Sequence, residues 1–327
     1  MELNRPRTGL AVLPTPFVRA SRLERALGAG PVFVKRDDLA GFALAGNKAR
    51  TLEFLIGAAI AERSDVVVAA GSPSSNFCAA VAVAARVVGL ECELLFPGDA
   101  PGAAPSQRSP NVELARSAGA RLRFGVVATR EQLDDAVVEH AQALREQGRR
   151  PYAVPRGGAT VTGVLGYVCA ARELAEQCDA AATEPRTVVV PTGSGATQAG
   201  LLAGCVGLGR PWRLVGASVS RPEQPMADQV LRLAVEAADL LGTTRPTRAD
   251  VDVRDCRGAG FGIASDEDRR SARLALEHEA LLLDDYYGAK AMSLVRRLLA
   301  AGAEAPLVFW HTGGLAAAVT ALGGDAA

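Results

Sequence analysis

One short stretch carries the strongest structural signal in the chain: Val188-Val189-Val190-Pro191-Thr192-Gly193-Ser194-Gly195-Ala196-Thr197-Gln198-Ala199-Gly200. The three valines predict a buried strand, and the apolar spacing after Gly195 predicts a helix. The glycines between them let the backbone approach an anion closely, at a helix end whose unpaired N–H groups favour negative charge. The stretch therefore predicts a phosphate-binding turn in an α/β protein.

This turn lacks two signatures of nucleotide-binding proteins. It has no Gly-Lys-Ser/Thr run as in a P-loop, and Gly200 comes too late for a Gly-x-Gly-x-x-Gly pattern. Ser194 and Thr197 add hydroxyl donors. A phosphate-bearing cofactor other than a nucleotide is the favoured ligand, and the alternative is a glycine-rich turn that only packs.

Outward from this stretch, short β-branched runs alternate with longer runs of helical apolar spacing. The predicted strands are Val32–Lys35, Val66–Ala70, Cys92–Phe96, Leu122–Phe124, Pro151–Val154, Thr187–Pro191, Arg213–Ser218, Val251–Arg254 and Pro306–Trp310. The predicted helices are Arg50–Arg63, Asn76–Val88, Arg130–Gly148, Val164–Cys178, Ala196–Leu208, Pro225–Leu241, Asp266–Glu279 and Ala289–Ala301. This order predicts an α/β fold with parallel sheets flanked by helices, and Gly98–Asn111 is predicted to be a loop.

Length and composition exclude several classes of protein. With 327 residues the chain exceeds the roughly 100–200 residues of one domain, so two domains are expected. The 36 basic and 36 acidic residues balance, which gives no reason to expect a nucleic acid as partner. No uncharged run approaches the ~20 residues of a membrane span, and no export signal is recognised at the N-terminus. Six scattered cysteines without metal-ligand spacing predict buried reduced thiols and no metal site, and the missing export signal predicts a cytoplasmic protein.

A second polar turn follows the predicted strand Val66–Ala70. It reads Gly71-Ser72-Pro73-Ser74-Ser75-Asn76. Ser75 or Asn76 is placed to cap the next helix, and capping alone could explain the turn. Three serines and an asparagine exceed what one cap requires, so a carboxylate-binding role is the alternative interpretation.

Lysine is scarce, and one of the three lysines lies in an unusual position. The 36 basic residues comprise 33 arginines and only Lys35, Lys48 and Lys290. Lys48 follows Gly46-Asn47 at the start of a predicted helix, where the helix field lowers the pKa of an amine. A nucleophilic lysine that forms a Schiff base is one interpretation, and a solvated surface lysine is the other. Lys35 heads a charge cluster that could be a solvated ion-pair turn, although its scarcity as a lysine also favours a specific role.

A fourth turn, His311-Thr312-Gly313-Gly314, follows the last predicted strand. Its His and Thr could contact a ligand, or serve as a core imidazole and a helix cap. A phosphate-binding turn, a Schiff-base lysine and a hydroxyl at a strand end together suggest pyridoxal 5′-phosphate as cofactor.

At this point the chain resembles the pyridoxal-phosphate enzymes of the tryptophan-synthase-β-like fold (fold type II), in the group of D-cysteine desulfhydrase and 1-aminocyclopropane-1-carboxylate deaminase. The matching motifs are Leu13-Pro14-Thr15-Pro16, Val34-Lys35-Arg36-Asp37-Asp38-Leu39, Gly46-Asn47-Lys48-Ala49-Arg50, Ser74-Ser75-Asn76, Gly193–Gly200, Gly260-Phe261-Gly262, Tyr287 with Lys290-Ala291-Met292, and His311-Thr312-Gly313-Gly314. The resemblance implies a homodimer of two-domain subunits. It places a smaller domain at residues 61–156 inside a larger cofactor-anchoring domain of residues 1–60 and 157–327.

The resemblance also assigns roles to individual residues. It implies that Lys48 forms the Schiff base, that Asn76 bonds the pyridine 3′-oxygen and that Thr312 faces the pyridine nitrogen. Ser75 and Tyr287 match residues near the substrate and the transferred proton. The cofactor phosphate is assigned to Gly193, Ser194, Gly195, Ala196 and Thr197.

The motifs also depart from the family pattern at several positions. Phe77 replaces a polar Gln or His, Phe261 replaces a second tyrosine, and Gly288 replaces the Glu or Thr of better-known relatives. The resemblance therefore implies an altered, less polar substrate pocket. Its expected lining residues are Ser74, Ser75, Phe77, Phe261, Tyr287 and Gly288.

A neutral hydroxyl at Thr312 cannot hold the pyridine nitrogen protonated as a carboxylate would, which favours loss of a β-substituent. The expected activity is α,β-elimination from a small amino acid, as in D-cysteine desulfhydrase, giving a 2-oxo acid, ammonia and the leaving group. The alternatives are ring opening as in the cyclopropane deaminases, a specialised biosynthetic β-replacement, and a cofactor-binding protein without turnover. A phosphosugar or nucleotide binder is supported only by the glycine-rich turn.

Overall fold

The computed structural model describes residues 4–98 and 109–324, and the chain divides into two compact units. Unit 1 comprises Met1–Ala11 and Lys48–Gly163, and unit 2 comprises Val12–Asn47 and Val164–Ala327. These divisions differ from the expected boundaries at 60/61 and 156/157, because the helix that begins at Lys48 packs within unit 1. The domain boundaries implied by the family resemblance stay a prediction.

The strands and helices follow the alternating order expected from the sequence. The strands are β1 (Phe17–Arg19), β2 (Val32–Arg36), β3 (Val66–Ala70), β4 (Glu91–Leu95), β5 (Arg121–Arg123), β6 (Pro151–Val154), β7 (Thr187–Thr192), β8 (Arg213–Ser218), β9 (Asp252–Asp255) and β10 (Leu307–His311). The helices are α1 (Ser21–Leu27), α2 (Lys48–Ala61), α3 (Asn76–Val87), α4 (Pro110–Ser117), α5 (Leu133–Glu146), α6 (Val161–Ala180), α7 (Ala196–Gly207), α8 (Glu223–Leu241), α9 (Asp266–Glu279), α10 (Gly288–Ala300) and α11 (Leu315–Gly324).

Unit 2 is built on a six-stranded sheet of order β1-β2-β10-β7-β8-β9. Only the edge pair β1–β2 is antiparallel. Because β7 and β10 are parallel neighbours, with Val188 paired to Val308, the turns that follow them lie at the same edge of the sheet. The sequence motifs after these two strands are therefore neighbours in the fold.

Unit 1 is built on a four-stranded parallel sheet of order β5-β4-β3-β6. Its central strand β3 consists of Val66-Val67-Val68-Ala69-Ala70 and is buried along its whole length. β-branched residues suit a strand covered on both faces. Helix α5 packs on this sheet with Leu133, Val137 and Leu144.

The charge cluster at the end of β2 lies inside unit 2, so the expectation of a solvated turn is wrong. Lys35 has no exposed surface and donates to the carboxylate of Glu173 and to the carbonyl of Thr15. Asp37 accepts hydrogen bonds from the Tyr167 hydroxyl and from Trp310 Nε1, at 2.6 and 2.8 Å. These side chains come from distant segments, which is why the sequence did not indicate their burial.

All nine predicted strands and all eight predicted helices coincide with observed elements within a few residues. The short elements β1, α1, α4 and α11 were not predicted. Helix α4 begins at Pro110, within the predicted loop Gly98–Asn111, and residues 99–108 of that loop lie outside the described residues. In the described part of the chain, no helix has both the length and the apolar character needed to cross a bilayer.

Candidate active site

The predicted phosphate-binding turn forms the start of α7 in unit 2. Gly195 is the N-cap residue, with a φ of 89° that favours glycine, and no side chain caps the helix. The backbone N–H groups of the first turn therefore lack a capping side chain, and this turn contains no acidic residue. Such a helix end suits an anion, so Gly193–Thr197 can hold a phosphate group.

Close packing fixes the position of α7. A Cβ atom on Gly200 would lie 2.5 Å from Cβ of Tyr167 on α6, so only glycine allows this approach. At the start of the helix, the Thr192 hydroxyl donates to Gln198 Oε1, and Gln198 Nε2 donates to the carbonyl of Asp252. The first turn of α7 is thus tied to strands β7 and β9.

The turn that precedes Lys48 lies against two other predicted turns of unit 2. The Asn47 N–H donates to the carbonyl of Thr312 at 2.9 Å, and Asn47 Nδ2 donates to Thr197 Oγ1 at 3.0 Å. A Cβ atom on Gly46 would overlap the Thr312 carbonyl, so this position requires glycine. The structure therefore brings the motifs around residues 47, 197 and 312 together.

Lys48 is the first residue of α2 and follows Asn47 in the chain. Its side chain is half-buried, and desolvation lowers the pKa of the amine from 10.5 to about 8. Loss of water disfavours the charged form, so a neutral amine is available near neutral pH. Lys48 thus has the electrostatic character of a Schiff-base nucleophile.

Thr312 presents a buried hydroxyl just after β10. Its carbonyl is occupied by Asn47, whereas no described residue hydrogen-bonds its hydroxyl. His311, the preceding residue and the last of β10, is fully buried. Burial lowers its pKa to about 4, so the imidazole is neutral. Its Nδ1 accepts from the N–H of Gly313 at 3.3 Å. The imidazole therefore supports the turn, and the hydroxyl of Thr312 is available to a ligand.

Tyr287 lies beside the predicted phosphate-binding turn. A Cβ atom on Gly193 would be 3.0 Å from Cε1 of Tyr287, and the Phe261 ring meets the Tyr287 ring edge-on at 5.7 Å between centroids. Asp284 accepts hydrogen bonds from the N–H groups of Tyr286 and Tyr287, both at 2.8 Å. Burial nevertheless raises the pKa of Asp284 to about 6. Asp284 thus holds the backbone that carries Tyr287.

Lys290 fixes the loop that carries Phe261. Its buried ammonium donates to the carbonyls of Arg257 and Ile263, both at 2.7 Å. These two carbonyls bracket the segment with Phe261, so one side chain from α10 closes the loop at both ends. Lys290 therefore positions this loop within unit 2. Its place inside a helical sequence pattern gave no indication of that role.

The second polar turn begins α3 in unit 1. Ser75 is the N-cap residue, and its Oγ accepts from the N–H of Cys78 at 3.2 Å. The hydroxyls of Ser72 and Ser74 are 3.1 Å apart. Ser75 therefore has the capping role that the sequence allowed, and its side chain also forms a hydrogen bond with the Cys78 side chain.

Asn76 is held by a residue that the sequence did not point to. Asn111, near the start of α4, donates through Nδ2 to the carbonyl of Ser74 at 2.8 Å and to Asn76 Oδ1 at 2.9 Å. The hydroxyl of Ser109 donates to the carbonyl of Pro73. The only sequence signal was the helix-start pair Ser109-Pro110, which does not indicate what the helix contacts.

Two predicted pocket residues are buried. Phe77 is 2 % exposed, and a Cβ atom on Gly158 would be 3.0 Å from its ring. Gly288 begins α10, and a Cβ atom there would be 3.1 Å from Cβ of Leu283. Each is packed in the interior of its own unit, and a role for either in the substrate pocket stays a prediction.

Comparisons with known proteins give the same picture over most of the chain. A family model described as "Pyridoxal-phosphate dependent enzyme" matches residues 9–313. D-cysteine desulfhydrase from Klebsiella pneumoniae (strain 342) is 35 % identical over 320 residues, covering 94 % of each chain.

Solved structures agree with this match. A crystal structure described as the ACC deaminase homologue has a TM-score of 0.88 at 33 % identity, covering 96 % of this chain and 93 % of that chain. The threonine deaminase of T.th., at 21 % identity, a TM-score of 0.63 and 92 % coverage of both chains, shares the fold. The predicted fold type II class and the predicted cofactor are confirmed. This chain belongs to the family of pyridoxal-phosphate dependent enzymes.

Proposed function

We propose that this enzyme is a lyase that eliminates a β-substituent from a small amino acid, with D-cysteine as the first candidate substrate. The products are a 2-oxo acid, ammonia and the leaving group, which for D-cysteine is sulfide. The observation that carries this proposal is the neutral hydroxyl of Thr312, available at the end of β10. The 35 % identity to a D-cysteine desulfhydrase supports the choice of substrate.

The residues of this chain fit the cofactor. The uncapped first turn of α7 would hold its phosphate through backbone N–H groups, and Lys48 would bind its aldehyde. Asn76 would donate to the ring hydroxyl oxygen, and the Thr312 hydroxyl would face the ring nitrogen. Pyridoxal phosphate supplies an electron-withdrawing ring that stabilises negative charge at the substrate α-carbon.

The protein groups then carry out binding and proton transfer. The amine of Lys48, when it is not bonded to the cofactor, would be a base whose lowered pKa lets it accept the α-proton of the substrate near neutral pH. The Ser75 hydroxyl or the Tyr287 hydroxyl handles the second proton. Phe261, packed edge-on against Tyr287, makes this side of the substrate pocket apolar.

Ring opening of 1-aminocyclopropane-1-carboxylate is a second candidate. The 33 % identity to the ACC deaminase homologue favours it. Gly288 stands where the family resemblance implies a Glu in the cyclopropane deaminases, and Phe261 replaces a second tyrosine. Elimination therefore remains the preferred activity.

The test measures cofactor absorbance and oxo-acid release together. Wild-type protein, loaded with cofactor, is mixed with D-cysteine, L-cysteine, cysteate or 1-aminocyclopropane-1-carboxylate. We expect pyruvate and sulfide from D-cysteine, and no oxo acid from the Lys48→Ala variant, which should also lose the visible band of the covalently bound cofactor. Arg86→Ala, at an exposed position of α3, serves as a control that removes a basic side chain without removing the nucleophile. A band that no substrate alters, with no oxo acid, contradicts the lyase proposal.

We also propose that the enzyme is a homodimer. Val12, Leu39 and Leu44 of unit 2 are large apolar side chains that are 47–67 % exposed. The segments that carry Val12 and Leu39 are joined, since the N–H of Val12 donates to the carbonyl of Ala40. Exposed apolar groups in one region favour association. Sedimentation velocity should give twice the chain mass, and Leu39→Glu should shift it towards the monomer.

A cytoplasmic location is the last part of the proposal. All six cysteines of the chain are free thiols, and five of them are buried. Proteins of oxidising compartments commonly pair their cysteines, so this pattern supports a reducing environment. Fractionation of the source cells, with detection of the enzyme by antibody, should recover it with the soluble cytoplasmic proteins.

A further inference from the structure

We propose that Asn111 is a positioning residue that orients the side-chain amide of Asn76 for cofactor binding. The inference rests on the proposed function, in which Asn76 donates a hydrogen bond to the ring hydroxyl oxygen of pyridoxal phosphate. Asn111 does not itself touch the cofactor in this scheme. It determines which end of the Asn76 amide is turned away from α4.

The orientation follows from the chemistry of the three groups in contact. The carbonyl oxygen of Ser74 can only accept a hydrogen bond, so the end of Asn111 that faces it at 2.8 Å must be the NH₂ group. That same NH₂ group lies 2.9 Å from the end of the Asn76 amide. The Asn76 end in contact is therefore its oxygen.

The consequence is that the NH₂ group of Asn76 remains available. No described residue accepts a hydrogen bond from Asn76 Nδ2. A phenolic oxygen that carries negative charge needs a donor, and the reversed amide would offer it an acceptor instead. Asn111 is 8 % exposed, so water does not readily replace its two bonds. The main-chain carbonyl of Ser74 thus fixes the orientation of the Asn111 amide, which in turn fixes the orientation of the Asn76 amide.

Asn111→Asp is the variant that tests this best. A carboxylate at residue 111 accepts but cannot donate, so the Asn76 amide should turn and present its oxygen to the cofactor. Position 111 lies in the first turn of α4, where the helix field favours a negative charge, so the helix should still form. We expect the affinity of the apoenzyme for pyridoxal phosphate to fall about 10-fold or more, and the visible band of the bound cofactor to shift.

Ser109→Ala is the matched control. Ser109 also connects the start of α4 to the same turn, through the carbonyl of Pro73, and it caps α4 through the N–H of Val112. Its loss should lower thermal stability and leave the Asn76 amide in place. We expect a cofactor affinity within about twofold of wild type and an unchanged absorption band.

A double variant tests whether Asn111 acts through Asn76. In an Asn76→Ala background, Asn111→Asp should change cofactor affinity less than about twofold, because the amide to be oriented is gone. The proposal is overturned if Asn111→Asp leaves affinity and band as in wild type. It is also overturned if Ser109→Ala produces the same spectral change, or if the two substitutions at 76 and 111 have independent effects.

These measurements use cofactor binding and not turnover, so the two proposals can fail separately. Wild-type enzyme that binds pyridoxal phosphate but releases no oxo acid contradicts the lyase proposal and leaves the Asn111 results intact. Wild-type enzyme that turns over D-cysteine, with an Asn111→Asp variant of unchanged spectrum and affinity, contradicts only the role of Asn111.

Discussion

The three lysines of this chain show how single residues are selected by their surroundings. Lys35 and Lys290 are buried, with backbone carbonyls or a carboxylate around each ammonium, and Lys48 is half-buried at the start of α2. Arginine provides the other 33 basic side chains. A compact ammonium fits narrow interior sites that a guanidinium fork would overfill. The scarcity of lysine therefore predicted that each one has a specific role, although it did not predict which carbonyls they bind.

Lys48 should give cofactor capture a characteristic pH dependence. Only the neutral amine attacks an aldehyde, and burial lowers the pKa of Lys48 to about 8. The rate of cofactor capture by the apoenzyme should therefore rise about tenfold per pH unit below pH 8 and level off above it. Stopped-flow absorbance from pH 6 to 10 measures this rate. A rate that keeps rising to pH 10 would show an ordinary lysine.

Lys290→Met should loosen the loop that carries Phe261. The variant keeps the aliphatic stem but leaves the carbonyls of Arg257 and Ile263 without their donor, at a cost of roughly 2 kcal/mol of unfolding free energy. Because the loop positions Phe261 beside Tyr287, we expect KM to rise more than kcat falls. Arg296→Met, in the same helix, is the control for losing a cation. Equal changes in both variants would argue against a positioning role.

Asp284→Asn should change how stability depends on pH. Burial raises the pKa of Asp284 to about 6, above its value of 3.8 in the unfolded chain. The folded state therefore binds this proton more tightly, and the group's contribution to stability declines as pH rises from about 4 to 6. Asparagine does not titrate. The unfolding free energy of the variant relative to wild type should increase by about 2–3 kcal/mol between pH 4 and 7.

The urea-unfolding step of unit 2, which contains Asp284, measures this difference in the apoenzyme at several pH values. Asp285→Asn, at the neighbouring and more exposed carboxylate, controls for the loss of one charge. A constant difference between Asp284→Asn and wild type across this pH range would contradict the raised pKa.

The ends of helices and strands include features that the sequence predicted and features that it did not. The Gly-rich turn before α7 was predictable because glycine, a buried strand and helical spacing occur within thirteen residues. The contact of α4 with the turn before α3 was not, because Asn111 and Asn76 are 35 residues apart and nothing local indicates their pairing. The edge strand β1 has only three residues, too few for a period-2 pattern to be recognised.

Ala280→Gly should stabilise the end of α9. Ala280 has φ 52° and ψ 36°, a left-handed conformation that costs a residue with a Cβ atom about 1–2 kcal/mol. Glycine removes this strain but gains freedom in the unfolded chain, so a net gain of about 0.5–1 kcal/mol is expected. Ala272→Gly, in the interior of the same helix, should instead lose about 1 kcal/mol. Thermal unfolding of both variants is the measurement, and a destabilised Ala280→Gly protein would contradict it.

At the scale of the whole molecule, each of the two units has an apolar core of its own among the described residues. One surrounds the six-stranded sheet and includes Val189, Phe309 and Met292. The other surrounds the four-stranded sheet and includes Val68 and Leu95. The alternation of strands and helices predicted both sheets, but the sequence alone did not show that residues 4–11 pack with unit 1, where Arg7 pairs with Glu53. That placement depends on the buried carboxylate of Glu53, which forms an ion pair with Arg7 from a distant part of the sequence.

Separate cores should give an unfolding transition with more than one step. We expect fluorescence and far-UV circular dichroism to give different midpoints in urea, because two-state behaviour is typical of single domains. Val68→Ala and Val189→Ala each remove two buried methyl groups, at a cost of about 2–3 kcal/mol. Each variant should lower a different step. A single coincident transition that both variants shift equally would contradict this expectation.

The placement of the lysines also determines how the protein reacts with aldehydes in general. Pyridoxal phosphate condenses with any accessible primary amine, and surface lysines usually capture it unproductively. Here the ammonium groups of Lys35 and Lys290 are enclosed by carbonyls, and only Lys48 has partly accessible side-chain surface. Borohydride reduction should therefore fix the cofactor at Lys48 with almost no competing lysine adducts. The same property predicts that, among the lysines of the apoenzyme, amine-directed dyes label Lys48 preferentially, alongside the α-amino group of the chain.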